Sequence, residues 1–361
     1  MHRVPVVTVV LPVFNAEPYL DEALASILGQ SLADFELIAI NDGSTDGSGR
    51  ILTEHAARDA RIHVVSLENR GLSRSLNEGL KAARANYVAI MNADDVALPD
   101  RLSKQAAFLD AHPSVAAVGG QVRLMLADGK VGPATRLPQP PAAIRSFLNQ
   151  TSPFAHPAVM LRRQAALAAG GYRPQIQPAE DLDLWLRLAE RYDLANLPDV
   201  VLHYRLHAGQ ATARAFEAVA VATLVAKAAA RIRRAGGNDP VEGRSLIDRP
   251  FAEQLGITPQ EIAEHAIKAA LGRSESLLSC GASPAVAWQP LQAIQDENVV
   301  ASDRSFLNAT KRWFAGRVLA SERHFLRALP NFVSAARAVP YFCCRLAAAL
   351  YRRIIAMFIK G

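Results

Sequence analysis

Cysteine and long apolar runs are scarce in this sequence. The 361 residues include three cysteines, Cys280, Cys343 and Cys344, an odd number without the spacing of metal ligands. This usage excludes a disulfide-stabilised scaffold and predicts a reducing, cytoplasmic compartment. No uninterrupted apolar run reaches the roughly 18 residues that a membrane-spanning helix needs, so no transmembrane helix is predicted.

The common phosphate-binding motifs are also missing. The turn after the first predicted strand has no G-x-G-x-x-G pattern, and G-x-x-x-x-G-K-[ST] does not occur in the chain. These absences disfavour a dinucleotide-binding fold and a P-loop. A bound nucleotide would have to be held in another way.

The length and the apolar content predict a globular protein with more than one domain. At roughly one domain per ~150 residues, a chain of 361 residues suggests two domains, and its 50% apolar residues are enough to form a core. We expect a catalytic domain over residues 1–214. The Ala-rich pattern that follows predicts an appended helical region over residues 215–361.

Positive charge is concentrated near the end of the chain. The net charge is +6, and about the last 50 residues hold many Arg and Lys but few acids. This favours an anionic partner for the tail, and no nucleic acid partner is expected. Residues 332–360 have the composition of an interfacial helix on an anionic membrane, which would place the protein on the inner face of the cytoplasmic membrane. The alternative is a helix packed on the catalytic domain with its arginines outward.

Strand and helix patterns alternate through the first part of the chain. Apolar, β-branched runs predict strands over 6–13, 35–40, 62–66 and 87–91, with helices over 19–29, 47–58 and 73–83 between them. Alternation of this kind predicts an α/β fold with a mostly parallel sheet flanked by helices. Ligand loops are then expected at the carboxyl ends of the strands.

The fourth predicted strand ends in two adjacent acids, Asp94 and Asp95, with Asn92 just before them. Two neighbouring carboxylates cannot both be ionised in a half-buried place without a cation or strong donors nearby. A divalent metal that also holds a substrate diphosphate would meet this need. The alternative is a polar turn that caps the helix predicted from Arg101.

Several ordered blocks resemble the family 2 inverting glycosyltransferases with the GT-A fold, over roughly residues 5 to 210. The blocks are Val10 to Asn15 with Glu17, Asn41 to Asp46, Asn69 to Gly71 with Asn77, Asn92 to Asp95 with Pro99 and Arg101, His156-Pro157, Glu180-Asp181, and Tyr204 to His207. The resemblance implies transfer of a sugar from a nucleotide-diphosphate-sugar, with a UDP-sugar as the expected donor. The acceptor would be a glycan or a lipid-linked glycan in the synthesis of a surface polysaccharide or glycolipid.

The resemblance also implies where the donor and a metal ion bind. The nucleotide-sugar would be contacted by Pro12, Val13, Asn15, Glu17, Asp42, Asn92, Asp94 and Asp95. Asp94 and His207 would hold Mg²⁺ or Mn²⁺ at the diphosphate, so that charge developing on the leaving group is neutralised. Each residue also has a simpler explanation: Asp42 precedes Gly43 as a turn residue, and His207 is otherwise an ordinary exposed histidine.

Inversion at the sugar carbon needs a base on the face opposite the departing diphosphate. The resemblance assigns this role to Asp181, with Glu180 and His156 on the acceptor or sugar side. A carboxylate pair at a helix start also has a simple electrostatic explanation, because the helix dipole favours negative charge there.

One position departs from the family pattern, because Asn92 stands where the first acid of D-x-D-D is usual. An amide can still hydrogen-bond a ribose hydroxyl, so we expect altered affinity rather than lost activity. Two alternatives remain open. One is a sugar-phosphate nucleotidyltransferase, although the first loop lacks the Gly-rich basic sequence expected of it. The other is a non-catalytic sugar-nucleotide-binding relative, which Asn92 would favour.

Overall fold

The computed structural model describes residues 3–210, 215–294, 301–321 and 330–335. The chain divides into two compact units. The first comprises Met1–Leu206 and Ala222–Ile247, and the second comprises His207–Val221 and Asp248–Gly361. The first unit therefore contains the predicted catalytic region up to Leu206 together with a later helical segment.

The described part of the first unit is built on a nine-stranded mixed sheet. Its strands are β1 (Val7–Val13), β2 (Phe35–Asp42), β3 (Ile62–Leu67), β4 (Tyr87–Ile90), β5 (Val96–Ala97), β6 (Val115–Leu126), β7 (Val131–Ala134), β8 (Met160–Arg162) and β9 (Asp193–Leu206). The order is β3-β2-β1-β4-β8-β6-β9-β5, with β7 paired to β6. Strands β3, β2, β1 and β4 are parallel, as are β6 and β9, whereas β8 is antiparallel to both its neighbours.

Helices flank this sheet. They are α1 (Glu17–Leu28), α2 (Ser48–Arg58), α3 (Leu72–Ala82), α4 (Arg101–Ala111), α5 (Pro141–Phe147), α6 (Arg163–Ala168) and α7 (Glu180–Leu188). The buried residues of α1, Leu20, Leu24 and Ile27, recur at helical spacing and join the core formed by the strands. On α3, a Cβ at Gly79 would lie 2.3 Å from Val10 Cγ1, so glycine permits the close approach of α3 to β1.

Helix α8 (Phe216–Arg234) belongs to the first unit from Ala222 onward. The second unit contains α9 (Arg249–Gln254), α10 (Pro259–Ser279), α11 (Pro284–Gln292) and α12 (Ala301–Ser321). Thr258 and Glu261 form a capping box at the start of α10, which satisfies its first backbone donors. These helices confirm the predicted helical C-terminal region.

The predicted interfacial helix of the tail lies outside the described residues, because the structure describes only 332–335 of residues 332–360. Among the helices that the structure does describe, none is long and apolar enough to cross a membrane. Membrane contact through the tail therefore stays a prediction.

The sheet contains more than the sequence pattern indicated. The apolar pattern of residues 200–205 predicts a short strand there. Strand β9 begins earlier, at Asp193, and its first half carries polar residues and Pro198 that give no apolar run. The prolines of residues 133–141 predict an irregular connection, but this segment contains the end of β7 and the start of α5. Pro133 is accommodated in β7 because β7 pairs only with β6 within the described sheet, where an edge strand tolerates a missing donor.

Candidate active site

The loops after β1 and β2 are tied together by side chains at the carboxyl edge of the sheet. Asn15 adopts a φ of 49°, a left-handed conformation that asparagine tolerates better than most residues. Its Oδ1 accepts a hydrogen bond from the Thr45 backbone N–H at 2.8 Å. Glu17 Oε2 accepts one from the Gly47 N–H at 2.9 Å. Asn15 and Glu17, which are predicted to contact the nucleotide-sugar, therefore also hold the loops after β1 and β2 together.

Asp42 fixes the loop after β3 in the same way. Its two carboxylate oxygens accept hydrogen bonds from the backbone N–H groups of Arg70 and Gly71, both at 2.9 Å, and the residue is only 4% exposed. Gly71 has a φ of 87°, which favours glycine. Three loops thus meet at one edge, as the strand order predicted.

At the end of β1, the residues predicted to contact the nucleotide-sugar differ in their exposure. Pro12 is partly buried and Val13 is fully buried, so the Val13 side chain belongs to the core. Phe14 between Val13 and Asn15 is 49% exposed. The sequence prediction assigned no role to Phe14, because its exposure can be read only from the structure.

The acids after β4 have unequal surroundings. Asp95 is fully buried: its Oδ1 accepts a hydrogen bond from the Arg205 backbone N–H at 2.8 Å. Its Oδ2 finds no hydrogen-bond partner among the described residues. Burial and then the negative charge of Asp94 raise the pKa of Asp95 well above its ordinary value. Asp94 and Asn92 are partly buried.

Two buried guanidinium groups lie around Asp94 and Asp95, which together are called the acidic turn. Arg101 donates to the carbonyl of Ile90, the last residue of β4, and to that of Val159, which directly precedes β8. Arg205 Nε donates to the Asp94 carbonyl at 2.7 Å. The positive charges of both arginines favour ionisation of Asp95, and this opposes the effect of burial on its pKa.

The acidic turn has the donor chemistry that a hard cation requires. Within the described part of the chain there is no group of three or more His, Cys, Asp or Glu side chains that could hold a metal. Mg²⁺ and Mn²⁺, however, are commonly held by one or two carboxylates together with substrate phosphates. Asp94 and the unpartnered Oδ2 of the buried Asp95 fit that pattern.

The second carboxylate pair opens helix α7. Glu180 is buried, and burial followed by the charge of Asp181 raises its pKa from 4.5 to about 8. Its Oε2 has no hydrogen-bond partner in the residues that the structure describes. Asp181 is partly exposed, and its Oδ1 accepts a hydrogen bond from the Leu182 N–H at 2.6 Å. At neutral pH the pair therefore holds a protonated glutamic acid beside Asp181.

A histidine–tyrosine pair adjoins these carboxylates. His156 Nε2 and the Tyr172 hydroxyl are 2.9 Å apart. Burial lowers the pKa of His156, against the opposing effect of Asp181, so the imidazole is neutral at pH 7. Burial and the charges of Asp181 and Glu180 raise the pKa of Tyr172. Asn77 holds Tyr172 by bonds to both its backbone N–H and its carbonyl.

The sequence prediction did not identify Tyr172, because nothing in its local pattern distinguishes it from a core tyrosine.

A buried ion network around Asp183 holds helix α7 in place. Asp183 accepts hydrogen bonds from Arg173 and Arg187, and Arg173 also pairs with Asp239. Only the tertiary structure brings these segments together.

His207 is the first residue of the second unit. Its Nδ1 accepts a hydrogen bond from the Gly209 N–H at 3.2 Å, and its carbonyl accepts one from Arg273 Nη2 at 2.9 Å. Arg273 lies on α10, so a helix of the appended region holds the turn that carries His207. The role of His207 as a metal ligand stays a prediction.

The fold and this edge of the sheet define a class of protein, the GT-A glycosyltransferases. The structure of S. aureus TarS 1-349 in complex with UDP-GlcNAc is similar with a TM-score of 0.52 at 17% sequence identity, covering 92% of this chain and 91% of TarS 1-349. At this identity the likeness concerns the fold, and it confirms the predicted GT-A architecture.

Sequence comparison identifies the family. The sequence model described as "Glycosyl transferase family 2" matches residues 8–171. EpsE of Bacillus subtilis (strain 168) is 37% identical over 194 residues, which are 53% of this chain and 69% of EpsE. The amylovoran biosynthesis glycosyltransferase AmsE of Erwinia amylovora is 33% identical over 202 residues, 55% of this chain and 75% of AmsE. The chain belongs to glycosyl transferase family 2, which confirms the predicted family and disfavours the nucleotidyltransferase alternative.

Proposed function

We propose that the protein is a metal-dependent, inverting glycosyltransferase that moves a sugar from a UDP-sugar to a hydroxyl group of a glycan or lipid-linked acceptor. The observation that carries this proposal is the presence, in one unit, of two carboxylate pairs with different neighbours. One lies beside two buried arginines, and the other lies beside a buried histidine and a buried tyrosine.

The donor would bind where the loops meet at the carboxyl edge of the sheet. Asp42 would accept a hydrogen bond from a base N–H, and Asn15 and Glu17 would line the nucleotide beside the Pro12-Val13 backbone. The exposed ring of Phe14 offers a surface on which a base can stack, an interaction worth about 1–3 kcal/mol where it has been measured. Asn92 would hydrogen-bond the ribose.

The acidic turn would face the diphosphate. Asp94, with support from Asp95 and with His207, would hold Mg²⁺ or Mn²⁺. When bound, the cation neutralises the negative charge that develops on the departing diphosphate. The contribution of the chain is to hold the backbone of Asp94, whose carbonyl accepts a hydrogen bond from Arg205 Nε.

Asp181 would act as the general base. The acceptor oxygen forms its bond to the anomeric carbon while the bond from that carbon to the diphosphate oxygen breaks, and the hydroxyl proton passes to Asp181. Glu180, protonated at neutral pH, can donate a hydrogen bond to a sugar oxygen. The neutral His156 would line the acceptor side, where its position is fixed by Tyr172.

The name of AmsE, a biosynthesis glycosyltransferase, supports a place in the synthesis of a surface polysaccharide. We therefore propose a cytoplasmic enzyme that acts at the inner face of the cytoplasmic membrane, with a glycan or lipid-linked acceptor. The basic composition of residues 332–360 supports contact with an anionic surface.

The test is metal-dependent hydrolysis or transfer over a panel of nucleotide-sugars. The wild type should turn over one donor selectively and only with Mn²⁺ or Mg²⁺, and Asp94→Ala and Asp181→Asn should each lose that turnover. If the wild type binds no nucleotide in the presence of metal, the proposal fails at its first step. Nucleotide binding without turnover, with every acceptor tried, would favour the non-catalytic alternative.

A further inference from the structure

Arg205 lies at the centre of the contacts behind the acidic turn. Its side chain is 3% exposed, and its guanidinium lies 4.7 Å from the centre of the Tyr19 ring. The Nη2 atom pairs with Glu22 of α1, and Nη1 donates to the Ala127 carbonyl at 3.4 Å. The group therefore links α1 and the end of β6 to the turn that follows β4.

Arg205 contacts both acids of the turn by different groups. Its Nε donates to the Asp94 carbonyl at 2.7 Å, which fixes the backbone that carries the Asp94 side chain. Its own backbone N–H donates to Asp95 Oδ1 at 2.8 Å, which fixes the rotamer of Asp95. One residue of β9 thus holds the backbone of Asp94 and one carboxylate oxygen of Asp95.

The other buried arginine makes a different set of contacts. Arg101 donates to the carbonyls of Ile90 and Val159 and to Gln105 Oε1. These contacts stabilise the end of β4, whereas the Asp94 carbonyl is held by Arg205. Both arginines contribute positive charge near Asp95, and Arg205 also donates the hydrogen bond that holds the Asp94 carbonyl.

Burying a guanidinium costs free energy unless its donors are satisfied. Arg205 is buried, yet the side chain of one of its partners, Glu22, is 57% exposed. A core filled by apolar side chains would avoid this cost. Carboxylates that hold a cation need further hydrogen bonds that orient them. Such a role at the acidic turn would explain why a guanidinium is buried at Arg205.

We propose that Arg205 is a positioning residue for the cation and diphosphate site, with its side chain acting through the Asp94 carbonyl. The inference rests on the proposed function, since it assigns the cation to the acidic turn. Arg205 touches neither substrate nor metal in this role. Its loss should change how strongly Mn²⁺ supports nucleotide binding, and should change metal-free nucleotide binding little.

The experiment uses the full chain and calorimetric titration with UDP at a series of Mn²⁺ concentrations, and also without metal. The variants are Arg205→Gln, which removes the charge, and Arg205→Lys, which keeps the charge but lacks the planar fork. Glu22→Gln removes an exposed partner of Arg205 and is the variant least expected to disturb folding. Thermal unfolding is recorded for each.

Arg162→Gln is the matched control. Arg162 also donates to backbone carbonyls, those of Val115 and Leu109, and its guanidinium lies 5.5 Å from the centre of the Tyr87 ring. It pairs with the opposite end of β4, at Tyr87, and so lies away from the acidic turn. Its substitution should lower thermal stability without a specific change in the Mn²⁺ requirement.

We expect Arg205→Gln to raise the Mn²⁺ concentration for half-maximal UDP binding by about 10- to 100-fold, the range seen when outer hydrogen-bond partners of metal ligands are removed. Arg205→Lys should recover part of this loss, and Glu22→Gln should show a smaller increase. An Mn²⁺ requirement that is unchanged in both Arg205→Gln and Glu22→Gln, or changed no more than in Arg162→Gln, would overturn the inference.

The experiment also separates this inference from the proposed function. If wild-type protein binds UDP no better with Mn²⁺ than without it, the metal-dependent donor site itself is refuted, and the positioning role with it. If the wild type shows the Mn²⁺ effect and the Arg205 variants keep it, only the positioning role is refuted.

Discussion

The two carboxylate pairs of the first unit, Asp94-Asp95 and Glu180-Asp181, are alike in sequence and differ in surroundings. Each has one buried member with an oxygen that lacks a partner among the described residues. Around the first pair lie the guanidinium groups of Arg101 and Arg205. Beside the second pair lie a neutral histidine and a tyrosine.

This difference decides what each pair can do. The positive charges of Arg101 and Arg205 oppose the effect of burial on the pKa of Asp95, which suits a pair that would share a cation with a diphosphate. Burial and the neighbouring negative charge raise the pKa of Glu180 to about 8, so Glu180 can keep its proton and donate a hydrogen bond beside Asp181, the base that we propose. Neighbouring residues, rather than the acids themselves, separate the two roles.

The largest expected effect comes from removing the base. Asp181→Asn should lower kcat by about 10³-fold, because positioned general bases contribute roughly 10²- to 10⁴-fold. The amide keeps the size of the side chain, so donor binding should be preserved. Transfer rates at saturating donor and acceptor would measure this. A variant with more than about a tenth of the wild-type kcat would show that another group takes the proton.

A smaller loss is expected at the other pair. Asp94→Asn should raise the Mn²⁺ concentration for half-maximal activity by about 100-fold, because an amide is a weaker ligand for a hard cation than a carboxylate. Excess Mn²⁺ should restore part of the rate, which it cannot do for Asp181→Asn. Equal responses of the two variants to Mn²⁺ would remove the distinction between the pairs.

Glu180 predicts a pH dependence of stability. Its folded-state pKa of about 8 lies above the ordinary 4.5, so the folded state keeps a proton that the unfolded state loses. The stability from this group is complete below pH 4.5 and is lost as the pH rises to about 8. Glu180→Gln has no such proton to lose. Urea unfolding at the two pH values measures this effect. From pH 5 to pH 8.5, the free energy of unfolding of Glu180→Gln should rise relative to that of the wild type by about 2–4 kcal/mol.

That gain should develop between the two pH values and change little above pH 8.5. A difference in unfolding free energy that is the same at pH 5 and pH 8.5 would contradict a raised pKa at Glu180, and with it the proton-holding character of the second pair.

The smallest effect is expected at Asn92. Asn92→Asp restores the acid usual in the family, yet both side chains can accept a hydrogen bond from a ribose hydroxyl. The UDP affinity should change by less than about 10-fold, since a single neutral hydrogen bond contributes about 0.5–1.5 kcal/mol. Calorimetry with UDP and Mn²⁺ would measure the change. A gain of activity from none to a measurable rate would instead indicate that Asn92 makes the natural chain inactive.

The sequence was most informative where chemistry and periodicity coincide. The β-branched run of β1 and the acids after β4 predicted both the strands and the edge at which their loops meet. Arg205 and Tyr172 were not assigned roles, because their importance comes from partners more than 90 residues away, Asp94 for Arg205 and Asn77 for Tyr172. Local pattern carries no information about such partners.

The same limit explains the parts of the fold that were not predicted. Strand β5 has two residues, too few for a periodic signal, and it forms because Val96 and Ala97 pair with β9. Helix α5 has seven residues and begins at Pro141, where the predicted Pro-rich connection ends, so it is too short to give a periodic signal of its own. Long periodic segments such as β1 and α4 agree closely with the prediction.

The most direct test of the central difference is calorimetric titration of UDP with Mn²⁺ into wild type, Asp94→Asn and Asp181→Asn. Separate roles predict that Asp181→Asn binds UDP with wild-type affinity, whereas Asp94→Asn binds it at least about 10-fold more weakly, a difference of about 1.4 kcal/mol. If both variants lose affinity equally, or if Asp94→Asn binds as the wild type does, the two carboxylate pairs do not divide donor binding and proton removal between them.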